Sequence, residues 1–288
     1  MRVGAALLEL ARAAKARSIF VVGIGRDVGK TTALRAIYAA ACDARATIGL
    51  ASCGIAASRK PRLWLKPKTV FVTARDGLPR TPAVEVVRLS PLRTAGSALL
   101  YARVAAGGFY ELAGPPTASG VREVVEDLCA LSEIVVVDGA VDRVAALAGA
   151  GGAVIVSCGA AAAKTMPEAV DEIASLVARL GVPSYDSQEP AIHLDGALTA
   201  SSAAAFIAAR ERRQIVVRDP TQIALAGKAG SRALAQLRIR CRRPLRVIAA
   251  TIASIAPERS FEPRAFARAV ADATGLPTFD VYASARAA

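Results

Sequence analysis

Histidine is nearly missing from this chain. The single one, His193, excludes a histidine-built metal centre, and its apolar neighbours mark it as a packed or surface strand residue rather than a catalyst. The five cysteines, Cys42, Cys53, Cys129, Cys158 and Cys241, are odd in number, widely separated and never spaced C-x-x-C. That pattern argues against a structural zinc site or a disulfide framework, and for a reducing, cytoplasmic setting. Lysine is scarce, confined to Lys15, Lys30, Lys60, Lys66, Lys68, Lys164 and Lys228, so the formal net charge of +13 comes mostly from arginine. Arginine beside abundant alanine is what a GC-rich genome produces, and no recognition motif accompanies the charge. Nucleic acid is therefore not the expected partner.

A long uninterrupted apolar run is also lacking. Residues 144–163 carry no charge, but Gly149, Gly151, Gly152 and Gly159 break them into helix, turn, strand (153–157) and loop. Residues 1–17 are interrupted by Glu9 and Arg12 and read as an amphipathic helix rather than a signal peptide. No membrane span is expected. There is no internal repeat and no long disordered tract.

Against these absences, 53% of the 288 residues are hydrophobic, enough for a sizeable core, and the length suits one large domain or two small ones. The most informative stretch is Gly23-Ile24-Gly25-Arg26-Asp27-Val28-Gly29-Lys30-Thr31-Thr32. It follows an apolar run at 18–22 (SIFVV) that reads as a buried strand, and precedes a helical stretch at 33–40. Strand, glycine loop, Lys-Thr and helix form the context a phosphate-binding loop requires. Glycines let backbone N–H groups turn inward onto a phosphate, and the helix N-terminus adds partial positive charge. Gly23, Gly25, Asp27, Val28, Gly29, Lys30, Thr31 and Thr32 are the expected nucleotide-binding set, with Lys30 reaching the β- and γ-phosphates and Thr31 holding Mg²⁺. Five residues separate Gly23 from Gly29, one more than in the common form, and three separate Gly25 from Gly29. A glycine-rich turn that binds nothing would have no need of Gly-Lys-Thr-Thr after a strand.

The second half of such a site is a carboxylate at the end of another buried strand. Residues 133–139 (EIVVVDG) supply it, so Asp138 is the expected second metal ligand and, with Lys30, the expected catalytic pair. Asp142 and Arg143 follow, either facing the γ-phosphate or pairing with each other. A further core strand at 46–52 (ATIGLAS) ends in Cys53-Gly54-Ile55-Ala56, where no carboxylate stands to position an attacking water.

Strand and helix patterns alternate through the chain. Helices are expected at 121–131, 167–180, 201–210, 232–240 and 263–274, and later strands at 153–157, 191–196, 214–217, 245–250 and 278–281. The predicted fold is α/β: a three-layer P-loop NTPase sandwich with a mostly parallel sheet, spanning 1–288. Residues 59–113 differ in character, with strand patterns at 69–73, 84–89, 98–104 and 109–112, and read as a β-rich insertion. Its first segment, with Lys60, Arg62, Lys66 and Lys68 around Trp64, is either a partner surface or a solvated loop with one anchoring aromatic.

Several segments together resemble one family: the 29–32 loop, 46–52 (ATIGLAS), 107–115 (GGFYELAGP), 135–143 (VVVDGAVDR), 194–199 (LDGALT) and 216–221 (VVRDPT). They are similar to the P-loop reactivase subunit encoded beside adenosylcobalamin-dependent lysine and ornithine aminomutases, within the dethiobiotin synthetase-like P-loop class. The resemblance spans most of the chain in short motifs. It implies an ATP-driven chaperone that exchanges damaged cobalamin for adenosylcobalamin on an aminomutase client, with ATP and Mg²⁺ as cofactors and a homodimer left open. Two departures stand out. The family has an acidic residue soon after the second strand, where this chain has Cys53–Ala56, and an Asn-Pro near the late strand, where it has Thr251-Ile252-Ala253-Ser254. The alternative within the class is an ATP-dependent ligase activating a small carboxylate; no second-substrate set is legible. An Asn-Lys-x-Asp base-reading motif is missing, which favours ATP over GTP.

Overall fold

The computed structural model describes residues 2–53, 62–78, 83–94, 96–139 and 152–282. The chain begins with α1 (Val3–Ala13), β1 (Ser18–Gly23), α2 (Lys30–Asp43) and β2 (Ile48–Ser52). Five strands follow, with no α-helix between them among the described residues: β3 (Arg62–Leu65), β4 (Val70–Ala74), β5 (Val84–Arg93), β6 (Ala98–Val104) and β7 (Gly108–Glu111). Alternation resumes with α3 (Ala118–Leu131), β8 (Ile134–Asp138), β9 (Ala153–Gly159) and α4 (Met166–Leu180). A run of small elements comes next: β10 (Ala191–His193), β11 (Leu198–Thr199), α5 (Ala200–Ala208), β12 (Gln214–Val217), β13 (Ile223–Ala224), α6 (Gly227–Gln236) and β14 (Ile239–Cys241). The described chain closes with β15 (Arg246–Ala253), the hairpin β16 (Ile255–Ala256) and β17 (Arg259–Ser260), α7 (Pro263–Thr274) and β18 (Thr278–Asp280).

Nine strands form one sheet in the order β18-β15-β9-β1-β8-β2-β4-β6-β5. The seven from β18 to β4 are parallel, and β6 and β5 continue the sheet antiparallel. β1 and β9 are buried along their whole length, which explains their continuous apolar runs: a parallel strand covered on both faces has no solvent side to alternate toward. One face packs against α1 and α2 through Leu7, Leu34, Ile37, Ile19 and Val136. The other packs against α3, α4 and α7 through Val124, Leu128, Ile173, Phe266, Val135 and Val156. The architecture is thus mixed α/β, with seven α-helices among the described residues around a large, mostly parallel sheet.

Helix ends follow local chemistry. Thr117 caps α3 by accepting from Gly120 N. Thr165 and Glu168 form a reciprocal capping box at the start of α4, and Gly275 ends α7 in the left-handed region at φ 69°.

The 59–113 stretch is β-rich, as the sequence suggests, but it is not set apart from the parallel core. β4 pairs in parallel with β2, and β6 and β5 extend the same sheet. Only β3 and β7 stand off as a separate antiparallel ribbon, laid on the α1/α2 face by Leu63, Leu65 and Tyr110. Within 232–240 the expected helix is instead the end of α6 followed by β14. Leu237, Ile239 and Cys241 are buried, while Arg238 is exposed and Arg240 half-buried. That is a period of two, which the surrounding arginines disguised. β10, β12 and β14 make a second small parallel sheet, and residues 182–241 carry their own core of Val182, Leu198, Ile215, Val217, Ile239 and Cys241.

The first two helices meet at a glycine. A Cβ at Gly4 of α1 would lie 1.9 Å from the Ala36 carbonyl oxygen of α2. Gly4→Ala is therefore expected to force α1 off the helix that follows the glycine loop and to cost about 1–3 kcal/mol, the range for overpacking. Urea denaturation of the two proteins measures it, and an unchanged midpoint would mean that the helices re-seat freely.

Candidate functional site

The carboxyl ends of parallel strands are where α/β sheets place ligands, above all beside a strand whose neighbours lead the chain in opposite directions. β1 is such a strand, flanked by β8 and β9. The loop after it is packed tightly into the sheet. Ile24 N donates to Ser157 O of β9 at 3.1 Å, and Val28 is fully buried. A Cβ at Gly23 would meet Val28 Cγ2 at 2.7 Å and Ser157 O at 2.9 Å; one at Gly25 would meet Ala162 Cβ at 3.1 Å.

Asp27 and Gly29 both take left-handed backbone angles, φ 54° and 84°, and Gly29 is the N-cap of α2. Alternation of left- and right-handed backbone turns successive N–H groups toward a common point, here at a helix N-terminus. Gly29 is also close-packed, since a Cβ there would lie 3.0 Å from Ala253 Cβ and from Val281 Cγ2. The Asp27 side chain is exposed, so its part in the site is that of its backbone.

Three polar side chains converge where α2 begins. Lys30, its first residue, lays its amine back across the loop and donates to the Gly25 carbonyl oxygen. Thr31 Oγ1 lies 3.5 Å from Asp138 Oδ2, the end of β8. Thr32 is half-buried on the next position of the helix. Asp138 is in register with Val21 of β1 on one side and Ser52 of β2 on the other. Its position is fixed from the backbone: Cys53 N donates to Asp138 O at 2.9 Å, and Gly139 N donates to Val21 O at 2.9 Å. Burial pushes the Asp138 carboxyl up to about 6, against the opposing pull of the Lys30 charge and the Thr31 hydroxyl.

The loop and the strand-end carboxylate, read separately from sequence, are thus brought together. Asp142, Arg143, Gly54–Ala56 and Lys60 lie outside the described residues. Sequence reasoning missed Ser52, which ends β2 in register with Asp138; its signal was a hydroxyl closing an otherwise apolar strand. It also missed the far wall of the loop. Beyond Ala253, Ser254 donates to Asp280 Oδ2 at 2.7 Å, so the ends of β15 and β18 are tied together next to Gly29. The donor set suits a hard divalent cation with phosphate oxygens: a hydroxyl, a carboxylate and inward backbone amides, with glycines where any Cβ would crowd the loop. Among the described residues no group of three or more His, Cys, Asp or Glu side chains could hold a metal ion without such a ligand.

The exposed aromatics lie elsewhere. Trp64 and Phe109 face each other across the β3–β7 ribbon, edge to face at 5.1 Å, and are 55% and 61% exposed. Arg62 and Lys66 flank Trp64 on β3 and just beyond it, and Lys68 follows at a left-handed turn, φ 74°. Among the described residues no helix is long and apolar enough to cross a membrane. Compared with known proteins, the chain matches no protein-family model, no curated protein and no solved structure.

The Asp138 carboxyl makes stability depend on pH. Its value in the fold lies above the ordinary 3.8, so the neutral form is favoured there. The stability this gives is complete below about pH 4 and is lost as pH rises through about 6. With metal chelated, Asp138→Asn is expected to match wild type at pH 4 and to exceed it by about 1–3 kcal/mol at pH 8. Denaturant titrations at the two pH values check the sign; a less stable variant at pH 8 would contradict it.

Proposed function

We propose that this chain is a Mg-ATP-binding P-loop protein, an ATPase switch or chaperone that reactivates a cobalamin-dependent aminomutase. The observation that carries the nucleotide reading is the meeting of Thr31 with Asp138 at 3.5 Å, beside Lys30 and the amides that start α2. In this reading Gly25 to Gly29 wrap the β-phosphate with backbone N–H groups. Lys30 leaves the Gly25 carbonyl for the β- and γ-phosphate oxygens. Thr31 and Asp138 hold Mg²⁺, whose charge offsets that of the phosphates. Ion binding would draw the Asp138 carboxyl down into its charged form. The ends of β15 and β18, around Ala253 and Val281, would wall the nucleotide on the side away from Asp138.

The client rests on the motif resemblance. Its supporting feature is the Trp64–Phe109 pair, a paired aromatic surface with cations around it, of the kind that docks on an acidic protein face.

Lys30→Ala is expected to weaken Mg·ATP binding by about 1.5–3 kcal/mol, the worth of a hydrogen bond to a charged group. Asp138→Asn is expected to lower turnover more than affinity, because charge stabilisation by the metal is strongest in the transition state. Calorimetry and single-turnover kinetics separate the two; equal ATP affinities for wild type and Lys30→Ala would remove the nucleotide reading.

A second expectation concerns the client. With no carboxylate after β2, hydrolysis by the protein alone should be slow. A client that supplies or orders the missing group should raise it, by as much as ~10³-fold or more where one group is decisive. The assay measures ATP turnover with and without a cobalamin-dependent aminomutase, for wild type and for the Trp64→Ala/Lys66→Glu double variant. Stimulation that the double variant abolishes supports the ribbon as the docking surface. Fast unstimulated turnover in the presence of a small carboxylate would point to a ligase instead.

A further inference from the structure

A second site of a different kind lies along α4. A cleft of about 1060 Å³ runs between this helix and the 182–241 unit, with Gly23 and Ile24 at one end. Ser231 of α6 donates to Ser175 of α4 at 2.9 Å and pins the two walls together. Leu176 and Ala178 on one wall and Leu234 and Leu237 on the other make much of the lining apolar.

Three arginines line the cleft: the exposed Arg232 of α6 and, toward the end of α4, the pair Arg179 and Arg240. Both are half-buried. Among the described residues Arg179 has no carboxylate or hydrogen-bond partner, and burial holds its guanidinium below the ordinary range. Arg240 reaches only the carbonyl of its neighbour Ile239. Elsewhere a half-buried carboxylate of this chain finds a guanidinium, as Asp127 finds the exposed Arg88 at 2.7 Å. Removing a guanidinium from water without a counter-charge is costly, and two beside one cavity cost more. The carboxyl end of α4 offsets part of the Arg179 charge. It does nothing for Arg240, which sits on a strand.

The cleft does contain carboxylates, Glu168, Asp171 and Glu172, but they lie toward the other end. Glu168 is engaged in the capping box at the start of α4. Glu172 is seven positions from Arg179, about 10 Å along the helix axis, too far for an ion pair in the same register. The charge layout is therefore uneven along the cleft: Arg179 and Arg240 toward the end of α4, apolar side chains with the exposed Arg232 between, and carboxylates toward the start of α4.

We propose that this cleft binds a small organic oxyanion, a carboxylate or phosphate monoester with an apolar tail, whose head is held by Arg179 and Arg240. Guanidinium forks match both head groups in two-pronged hydrogen bonds. Leu176, Leu234 and Leu237 receive the tail. The acidic end turns away any ligand with a second anionic group. The cleft meets the glycine loop at Gly23, but the head-group seat at Arg179 and Arg240 uses none of the nucleotide-binding set and stands or falls without it.

The test uses the full chain without nucleotide and three probes of equal tail length: hexanoate, hexyl phosphate and hexylammonium, titrated by calorimetry. The two anions are expected to bind and the cation not. A preference between them identifies the head group as carboxylate or phosphate. Arg179→Met and Arg240→Met should each weaken anion binding about tenfold, as loss of a charge-assisted contact predicts, and Arg179→Lys should recover part of it. Arg212→Met, at an exposed position away from the cleft, and Lys30→Ala should bind hexanoate as wild type does. Unchanged circular dichroism and melting of the arginine variants exclude a folding defect. Equal binding of hexylammonium, wild-type affinity in both methionine variants, or an equal loss in Arg212→Met or Lys30→Ala would each overturn the proposal.

Discussion

The site depends on how little room the sheet leaves for the loop that follows β1. Gly23, Gly25 and Gly29 each sit where a Cβ would press on a neighbour at 3.1 Å or less. The loop is consequently not a flexible strap. Its backbone is gripped by Ser157 of β9, by buried Val28 and by Ala253 and Val281, and Gly29 has a backbone angle that side chains avoid. A rigid loop holds its amides ready for an anion without an ordering cost at the moment of binding, which is how backbone sites gain affinity.

That tightness explains why the geometry of the candidate site, a glycine loop between a buried strand and a helix, was legible from sequence and much of the periphery was not. Close packing leaves a compositional trace, because only glycine fits and only a buried strand carries an unbroken run such as 18–22. The end of β8 was legible for the same reason: a carboxylate interrupting apolar residues is rare enough to notice. The small unit at 182–241 left a weaker trace. Its strands are two to four residues long, and the stretch into β14 alternates buried residues with Arg238 and Arg240, which reads equally as one turn of a basic helix. β3 was hidden by Pro61, Pro67 and four basic residues in a nine-residue span, although Leu63 and Leu65 already alternate with Arg62 and Trp64. The placement of β4 within the parallel core, rather than in an insertion, is set by its pairing with β2, Gly49 with Val70 and Leu50 with Phe71, and no local pattern encodes it.

Polar residues at the carboxyl edge share a logic. Ser52, Asp138, Ser157, Thr251 and Asp280 belong to strands of the main sheet, and Ser254 directly follows β15. Ser157 and Thr251 satisfy each other at 2.7 Å, as do Ser254 and Asp280. Such pairs can be buried because their hydrogen bonds are made within the fold. Asp138 is different. Its carboxyl is desolvated, raised to about 6 and met only loosely by Thr31. Among these residues Asp138 is thus the carboxyl that the fold leaves out of its ordinary range.

The grip on Gly29 comes from opposite ends of the chain. Gly29 lies near the start, while Ala253 and Val281 are made among the last residues of the described fold. During synthesis the loop and its helix emerge long before the strands that confine them, and β1 waits for β8 and β9 as well. A nascent chain therefore exposes an apolar β1 and an unclamped loop for most of its translation, a state of the kind that chaperones shield. The same geometry means that the packing around Gly29 is complete only once Ala253 and Val281 have been made, so a partly made chain grips the loop less than the finished one does.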